Sequence, residues 1–479
     1  MDSSKTAKFT TAFVVITSLF FMWGFITCLN DILIPYLKNV FELTRFKSMM
    51  VQFAFFTAYF IGSLIYFIVS STSGDPILKI GYKRGIVLGL ITSAAGCVVF
   101  YPAAEFRVYG LFLTALFILG LGFTLLQIAA NPYVAILGKP ETASSRLNLS
   151  QGFNSFGTTI APIIGGYLIF HYFAKMGEPL LNSYGKPITN NSGDVISALG
   201  VQLPYLIFAG VFILLVVLII LTKLPKFNEG EHIEKGLGAF KYRHLVLGMI
   251  AIFMYVGAEV SIGSSFINYL NESLGYTEML AKSFLAFYWG GAMTGRFIGA
   301  VSLGSMKNKL LKYIIMLGIG ISAFFLIYSI VYVESGAGFS LNSVLPFIII
   351  VAVNFIAFVI GRSLPHRTLM IFAVISASLC ITAMLTNGVY SMWSLIAIGI
   401  FNSIMWSNIF TLAIKDLGKY TSQGSSLLVM MILGGAILPL LQGAIADEFN
   451  GYHYSFFIPA LAYIYLIYYG WKGYIPLKK

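Results

Sequence analysis

Apolar residues recur along the whole chain in runs that are long enough to cross a bilayer, and only short polar connections separate them. A helix needs about 20 mostly apolar residues to span the hydrocarbon core. Fourteen runs are close to that length, and we predict a helix for each of them. They lie near residues 11–37, 50–70, 85–103, 109–137, 147–172, 202–222, 245–270, 281–302, 311–333, 344–361, 368–386, 391–414, 425–446 and 453–471. The pattern predicts an all-α membrane protein.

The composition excludes most soluble classes. Hydrophobic residues make up 58% of the chain and charged residues 10%, with a mean hydropathy of +0.86, whereas soluble domains carry roughly 25% charged residues. The three cysteines, Cys28, Cys97 and Cys380, lie in apolar runs without the spacing of a disulfide framework or a zinc site. We therefore expect no catalytic residues, no metal site and no cofactor.

The charges indicate how the chain is oriented. The net charge is +12, but the 30 basic residues are scattered among short loops rather than gathered into a patch for nucleic acid. With the N-terminus inside, 23 of them, including Arg296, fall at cytoplasmic ends of spans and 7 fall at the other side. Such an excess is typical of cytoplasmic loops. We expect both termini in the cytoplasm and a multi-pass protein of the plasma membrane, in a bacterium the inner membrane.

An internal repeat divides the chain. The fourth and twelfth spans end in similar segments that begin at Asn131 and Asn408. These asparagines differ by 277 positions, whereas the mid-span acids Asp31 and Glu259 differ by 228. The difference of 49 positions accommodates two inserted helices. We therefore predict two six-helix bundles and an added hairpin, divided as residues 1–223, a cytoplasmic linker 224–243, the start of the second bundle 244–302, the hairpin 303–365 and the rest of the second bundle 366–479. Paired halves are typical of alternating-access transporters.

Two carboxylic acids fall in the middle of predicted spans. Asp31 lies late in the first helix, just before Pro35, and Glu259 lies centrally in the seventh. An ionisable group at the bilayer centre costs about 2.5–3.5 kcal/mol even on the most lenient scale, so such residues usually have a function. No lysine or arginine is assigned to either depth. Asp31 and Glu259 are therefore candidates for binding a coupling cation, and the alternative is that neighbouring polar groups hold them only to lock helices together.

Neutral polar and aromatic side chains also cluster at helical spacing. Sugars present hydroxyl donors and acceptors and an apolar ring face, which amides and tryptophan planes can bind. The candidate substrate-binding residues are Trp23, Asn30, Gln127, Asn131, Gln151, Asn154, Asn268, Asn402 and Trp406. The alternative for any one of them is an ordinary interhelical hydrogen bond, which contributes about 0.6 kcal/mol.

Several short blocks resemble one family of transporters. Residues 29–35, 129–133, 146–157, 255–258 and 409–415 are similar to blocks of the fucose, galactose and glucose symporters in the major facilitator superfamily. The resemblance implies twelve core helices, a central sugar cavity and cation-coupled uptake, with Asp31 as the acid of the first helix and Gln151 and Asn154 in the cavity. The fucose branch carries a glutamate in the fourth helix and a glutamine in the seventh. Gln127 and Glu259 reverse that pair, as in the glucose/galactose branch.

We expect a secondary active transporter that takes up a monosaccharide such as glucose or galactose together with a proton, acting as a monomer in the lipid bilayer. The reversed pair leaves Na⁺ open as the coupling ion. A facilitator or exporter of another small solute on the same fold is the alternative, because fold alone does not fix function. A membrane enzyme or a sugar sensor would need a nucleophile, a metal site or a soluble domain, and the sequence offers none of these.

Overall fold

The structure is a computed structural model that describes residues 3–43, 45–173, 176–182, 184–189, 195–225, 235–335 and 339–476. Within these ranges it contains α-helices and no β-strand, only three isolated bridges between residues 179 and 197. The helices are α1 (Ser3–Phe41), α2 (Arg45–Ser73), α3 (Pro76–Ile80), α4 (Tyr82–Glu105), α5 (Tyr109–Ile136), α6 (Ala143–Tyr167), α7 (Leu199–Leu221), α8 (Arg243–Leu274), α9 (Glu278–Ser302), α10 (Lys309–Ser335), α11 (Pro346–Gly361), α12 (Pro365–Leu385), α13 (Gly388–Asn402), α14 (Met405–Ala413), α15 (Thr421–Met430), α16 (Gly434–Glu448) and α17 (Phe457–Tyr468).

The all-helical membrane fold predicted from the sequence is confirmed. Each of the fourteen predicted spans coincides with one long helix or with a pair of consecutive helices. Among the described residues, 11 segments are long and apolar enough to be candidate membrane spans. The helices α6, α9 and α17 are not among them.

Two predicted spans are not single helices. The twelfth is interrupted between Asn402 and Met405, and the thirteenth passes through a 3₁₀ turn at Met431–Leu433. Neither interruption contains proline. Discontinuous helices at membrane depth need partners for the backbone groups that they release, and such a partner is present at the first interruption, where Arg296 donates from Nε to the carbonyl of Ser403 over 3.1 Å.

The chain forms two compact units. Unit 1 comprises Met1–Tyr133 and Phe156–Gly236, and unit 2 comprises Val134–Ser155 and Leu237–Lys479. The first half of α6 thus packs with the C-terminal helices, whereas the sequence placed it with the N-terminal bundle. Three polar contacts hold this segment within unit 2. They are Ser144 Oγ to Thr411 Oγ1 at 2.6 Å, Ser145 Oγ to the Ala300 carbonyl at 2.5 Å and Asn148 Nδ2 to Asn408 Oδ1 at 3.3 Å.

Small residues allow the closest helix crossings in each unit. In unit 1, a Cβ on Gly157 of α6 would overlap the carbonyl oxygen of Phe21 in α1. In unit 2, a Cβ on Gly434 of α16 would overlap the carbonyl oxygen of Phe253 in α8. Only glycine permits backbones to approach so closely. Gly157 and Gly434 are 277 positions apart, the same separation as between Asn131 and Asn408.

The helices α10 and α11 occupy the margin of unit 2. α10 packs mainly on α9, while α11 packs on α9, α12 and α13. Each also exposes an apolar stripe, exemplified by Leu310 and Leu317 on α10 and by Ile349 and Ile356 on α11. At the end of the pair, Lys312 donates from Nζ to the Ser302 carbonyl over 2.5 Å and to Ser363 Oγ over 2.9 Å. These stripes suit contact with lipid.

Candidate functional site

Glu259 lies in the interior of unit 2. Its helix, α8, packs against α9, α14, α16 and α17. The residue is 9% exposed, and its carboxylate oxygen Oε1 is buried without a hydrogen-bond partner. The hydroxyl of Tyr255, one turn earlier on α8, lies beside this carboxyl group and is also buried without a hydrogen bond of ordinary geometry. The carboxylate therefore keeps an acceptor position for a proton, a cation or a hydroxyl group.

The expectation that no basic residue lies at the depth of Glu259 is wrong. Arg296 of α9 places Nη2 3.8 Å from Glu259 Oε1, and both side chains are largely buried, at 14% and 11% exposure. The sequence assigned Arg296 to the cytoplasmic end of its span because it lies six positions before the end of α9. A long cationic side chain near a helix end usually reaches for water, but here a carboxylate on the neighbouring helix supplies a nearer partner.

The guanidinium of Arg296 lies beside the Tyr255 hydroxyl and has two further hydrogen-bond partners. Its Nε donates to the carbonyl of Ser403, at the interruption between α13 and α14, and its Nη1 donates to Oγ of Ser155 on α6. Close packing fixes the position of the arginine, because the adjacent Gly295 lies directly against Ser403. Arg296 therefore connects three segments of unit 2.

A chain of three hydrogen bonds between tyrosine and amide side chains ends at the backbone carbonyl of Glu259. Tyr463 donates to Asn402 Oδ1 over 2.7 Å, Asn402 donates to the Tyr288 hydroxyl over 3.0 Å, and Tyr288 donates to the Glu259 carbonyl over 2.9 Å. Asn402 is fully buried. Its amide already has a tyrosine partner at each end, which favours a role in positioning α8 over direct contact with a solute.

Further polar atoms on the segment from the end of α13 into α14 are buried without a hydrogen-bond partner. They are Ser403 Oγ, Trp406 Nε1 and Ser407 Oγ, and Ser261 Oγ of α8 is another buried atom of this kind. The ring of Trp406 stacks on Phe410 at 6.1 Å. A buried polar atom without a partner is costly, so this concentration of donors and acceptors favours a site that a polar solute occupies.

A second cluster of predicted residues lies in unit 1. Trp23 Nε1 donates to the Tyr59 hydroxyl over 3.4 Å, and that hydroxyl also lies beside Gln127. Asn131 donates to Gln127 Oε1 over 3.5 Å, and it is fully buried. The structure thus brings Trp23, Gln127 and Asn131 together. Asn30 and Asp31 belong to α1, but their side chains lie outside the described part of the structure.

The remaining predicted residues differ in exposure. Gln151 is buried on α6, one helical turn before Ser155. Asn154 directly precedes Ser155 and is half-buried. Asn268 is exposed on α8, about two and a half helical turns beyond Glu259, so the structure does not bring it to the carboxylate.

Sequence reasoning missed Tyr255, Tyr288, Ser403 and above all Arg296. Tyr255 carried a usable signal, because it precedes Glu259 by four positions and therefore lies on the same helical face. Arg296 also carried a usable signal, since it lies inside the predicted span 281–302. Among the described residues, no group of three or more potential metal ligands is found.

Comparison with known proteins agrees with this architecture. The family model of the Major Facilitator Superfamily matches residues 11–360. The chain belongs to this superfamily of membrane transporters, and it is a transporter rather than an enzyme. Its curated relatives include a glucose/galactose transporter of Brucella abortus, 43% identical with 98% of this chain and 96% of that protein covered, and the L-fucose-proton symporter of Escherichia coli, 31% identical with 96% and 93% covered.

A solved structure matches as well. The fucose transporter FucP in its outward conformation aligns with a TM-score of 0.72 and 30% identity over 97% of this chain and 98% of that one. The family resemblance drawn from the short blocks is therefore confirmed: the chain belongs to the family that contains these glucose/galactose transporters and fucose symporters.

Proposed function

We propose that the protein takes up a hexose of the glucose or galactose type together with a proton by alternating access. The observation that carries the proposal is the buried Glu259 carboxylate, whose Oε1 has no hydrogen-bond partner and which lies beside the Tyr255 hydroxyl. Such a group can bind a cation and a sugar hydroxyl in one interior site. Relatives that are named glucose/galactose transporters and fucose-proton symporters support the same substrate class and ion.

The cation-coupling residues in this proposal are Asp31 and Glu259, one acid in each half of the chain. Na⁺ is the alternative coupling ion, because two carboxylates can serve either cation. The candidate sugar-binding residues are Trp23, Asn30, Gln127 and Asn131 in unit 1 and Gln151, Asn154, Trp406 and Asn268 in unit 2. We assign Asn402 to positioning α8 and Asn268 to the margin of the site.

The proposed division is two six-helix bundles with α10 and α11 added as a hairpin. Matching glycine crossings support it, since Gly157 and Gly434 are 277 positions apart, and Gly62 and Gly291, each packed on a helix of its own half, are 229 apart. The first separation spans the proposed hairpin and the second does not. Transport by a single chain in the plasma membrane, with both termini cytoplasmic, completes the proposal.

Uptake into proteoliposomes tests this function. Purified protein should accumulate labelled D-glucose or D-galactose above the external concentration when the outside is acidic and Na⁺ is absent, and unlabelled sugar should compete. An inward Na⁺ gradient at equal pH is the second arm, and accumulation there alone would assign the ion as Na⁺. Equilibration without accumulation under either gradient would contradict symport and favour a facilitator.

A further inference from the structure

Arg296 links the candidate cation site to helix α6. Its guanidinium lies 3.8 Å from the Glu259 carboxylate and donates from a different nitrogen to Ser155 Oγ. The arginine fork can bond two oxygen partners at once, but it has limited freedom to approach both closely. The 3.8 Å separation is an ion pair without a hydrogen bond, whereas Ser155 receives a direct hydrogen bond.

Ser155 belongs to the segment of α6 that packs in unit 2. The surrounding residues reinforce the attachment of α6 to α9. The ring of Phe153 packs edge-on against Phe297 at 5.4 Å, and Ser145 bonds the carbonyl of Ala300.

Arg296 is also the dominant charge facing Glu259 among the described residues. The other titratable groups near this carboxylate are tyrosines, namely Tyr255 on α8, Tyr288 on α9 and Tyr463 on α17. α14 contains no titratable residue, and the acids of α16 stand at its far end. A change in the distance between Arg296 and Glu259 therefore changes the cation affinity of the site.

We propose that Glu259 and Ser155 compete for Arg296, so that cation binding at Glu259 strengthens the bond from Arg296 of α9 to Ser155 of α6. An anionic Glu259 attracts the guanidinium and weakens its bond to Ser155. A proton or Na⁺ on the carboxylate removes that attraction, and the guanidinium then keeps its bond to Ser155 of α6. Linkage is reciprocal, so attachment of α6 raises cation affinity by the same factor. This inference rests on the proposed function, and it makes Arg296 a positioning residue.

Three substitutions test the competition by the sign of their effects. The readout is the pH midpoint of sugar binding to purified protein in Na⁺-free medium, with a Na⁺ titration at fixed pH as a second arm that identifies the cation. Arg296→Gln removes the opposing charge and should move the midpoint to higher pH by about 1–3 units. Ser155→Ala frees the guanidinium to approach Glu259, so the midpoint should move the other way, by up to about one unit. Arg296→Lys keeps the charge and should return the midpoint toward the wild-type value.

Two controls separate this mechanism from general damage. Arg146→Gln removes a half-buried arginine of α6 that bonds the carbonyls of Val134 and Ala135, and it should leave the midpoint unchanged. In a Glu259→Gln background, Arg296→Gln should cause no further change in pH dependence.

An unchanged midpoint in Arg296→Gln, or shifts of the same sign in Arg296→Gln and Ser155→Ala, would overturn the proposal. Should Arg296→Gln fail to fold, Ser155→Ala carries the test, and an unchanged or higher midpoint in that variant would overturn the proposal. Wild-type protein that binds no hexose would instead contradict the proposed function.

Discussion

At the scale of single residues, polar groups inside this protein differ in whether they have partners. Asn402 satisfies both ends of its amide with tyrosines, whereas Glu259 Oε1 and Trp406 Nε1 have no hydrogen-bond partner. The first arrangement stabilises a fixed structure, and the second leaves bonds for a solute or an ion. This difference, which the sequence does not display, separates positioning residues from candidate ligands.

The Asn402 network makes a stability prediction. Asn402→Ala leaves the Tyr463 hydroxyl buried without an acceptor, which should lower the free energy of unfolding by about 1–3 kcal/mol. Adding Tyr463→Phe should recover part of that loss, because the orphaned hydroxyl is then gone. Thermal unfolding of the single and double variants in detergent measures the coupling. Strictly additive losses would show that the two residues act independently.

Asp75, which lies outside the spans, makes a pH prediction. Burial raises the pKa of its carboxyl group, although hydrogen bonds from Tyr66, the Leu78 and Ile77 amides and Ser70 partly oppose the rise. The folded-state pKa lies above the unfolded value, so this group's stabilising contribution is complete below the unfolded pKa and is lost as pH rises through the folded pKa. Asp75→Asn keeps a side-chain oxygen that accepts from the first amides of α3, but the amide does not ionise. The fall in stability with rising pH should therefore disappear in this variant. Melting temperatures of both proteins between pH 4 and 7 check it, and parallel curves would contradict it.

At the scale of helices, close glycine crossings set which pairs can pack, and α16 offers a matched comparison. Gly434→Ala would drive a methyl group into the Phe253 carbonyl of α8, whereas a Cβ on Gly443 of the same helix would meet nothing within 4 Å. Alanine is favoured over glycine in a helix by up to about 1 kcal/mol. Gly434→Ala should therefore destabilise the protein and Gly443→Ala should not. Equal melting temperatures for the two variants would show that the crossing tolerates a methyl group.

Helix number and extent could be predicted from the sequence because bilayer thickness imposes length and hydropathy on every span. The interruption at Ser403 could not be, because no proline or glycine marks it and its released carbonyl is bonded by Arg296 from another helix. The position of Arg296 is mispredicted for the same reason. Hydropathy predicts only whether a charged side chain lies in water or in the membrane, whereas the partner of Arg296, Glu259, lies 37 positions earlier in the chain. Long-range pairing of this kind is absent from any local pattern.

At the scale of the whole molecule, each half of the chain contributes a polar cluster, and each half carries one candidate coupling acid. The Trp23, Tyr59 and Gln127 cluster in unit 1 contains no acid among its described side chains, while the cluster in unit 2 is built on Glu259 and Arg296. This asymmetry suggests different tasks for the two acids. With a compensating guanidinium, Glu259 can remain charged inside the protein, and it is available to a sugar hydroxyl as well as to a cation.

The two acids should therefore respond differently to removal of their charge. Asp31→Asn should abolish gradient-driven sugar accumulation but preserve exchange of internal for external sugar, since exchange needs no net movement of the coupling ion. Glu259→Gln should abolish accumulation and also weaken exchange, because the amide leaves Arg296 without its counter-charge in the interior, a loss that is costly for a buried pair. Accumulation and exchange are measured on the same proteoliposomes at matched protein content, with thermal unfolding of the purified variants in detergent as the control for folding. Full accumulation by both variants under the wild-type gradient would show that neither acid carries the ion.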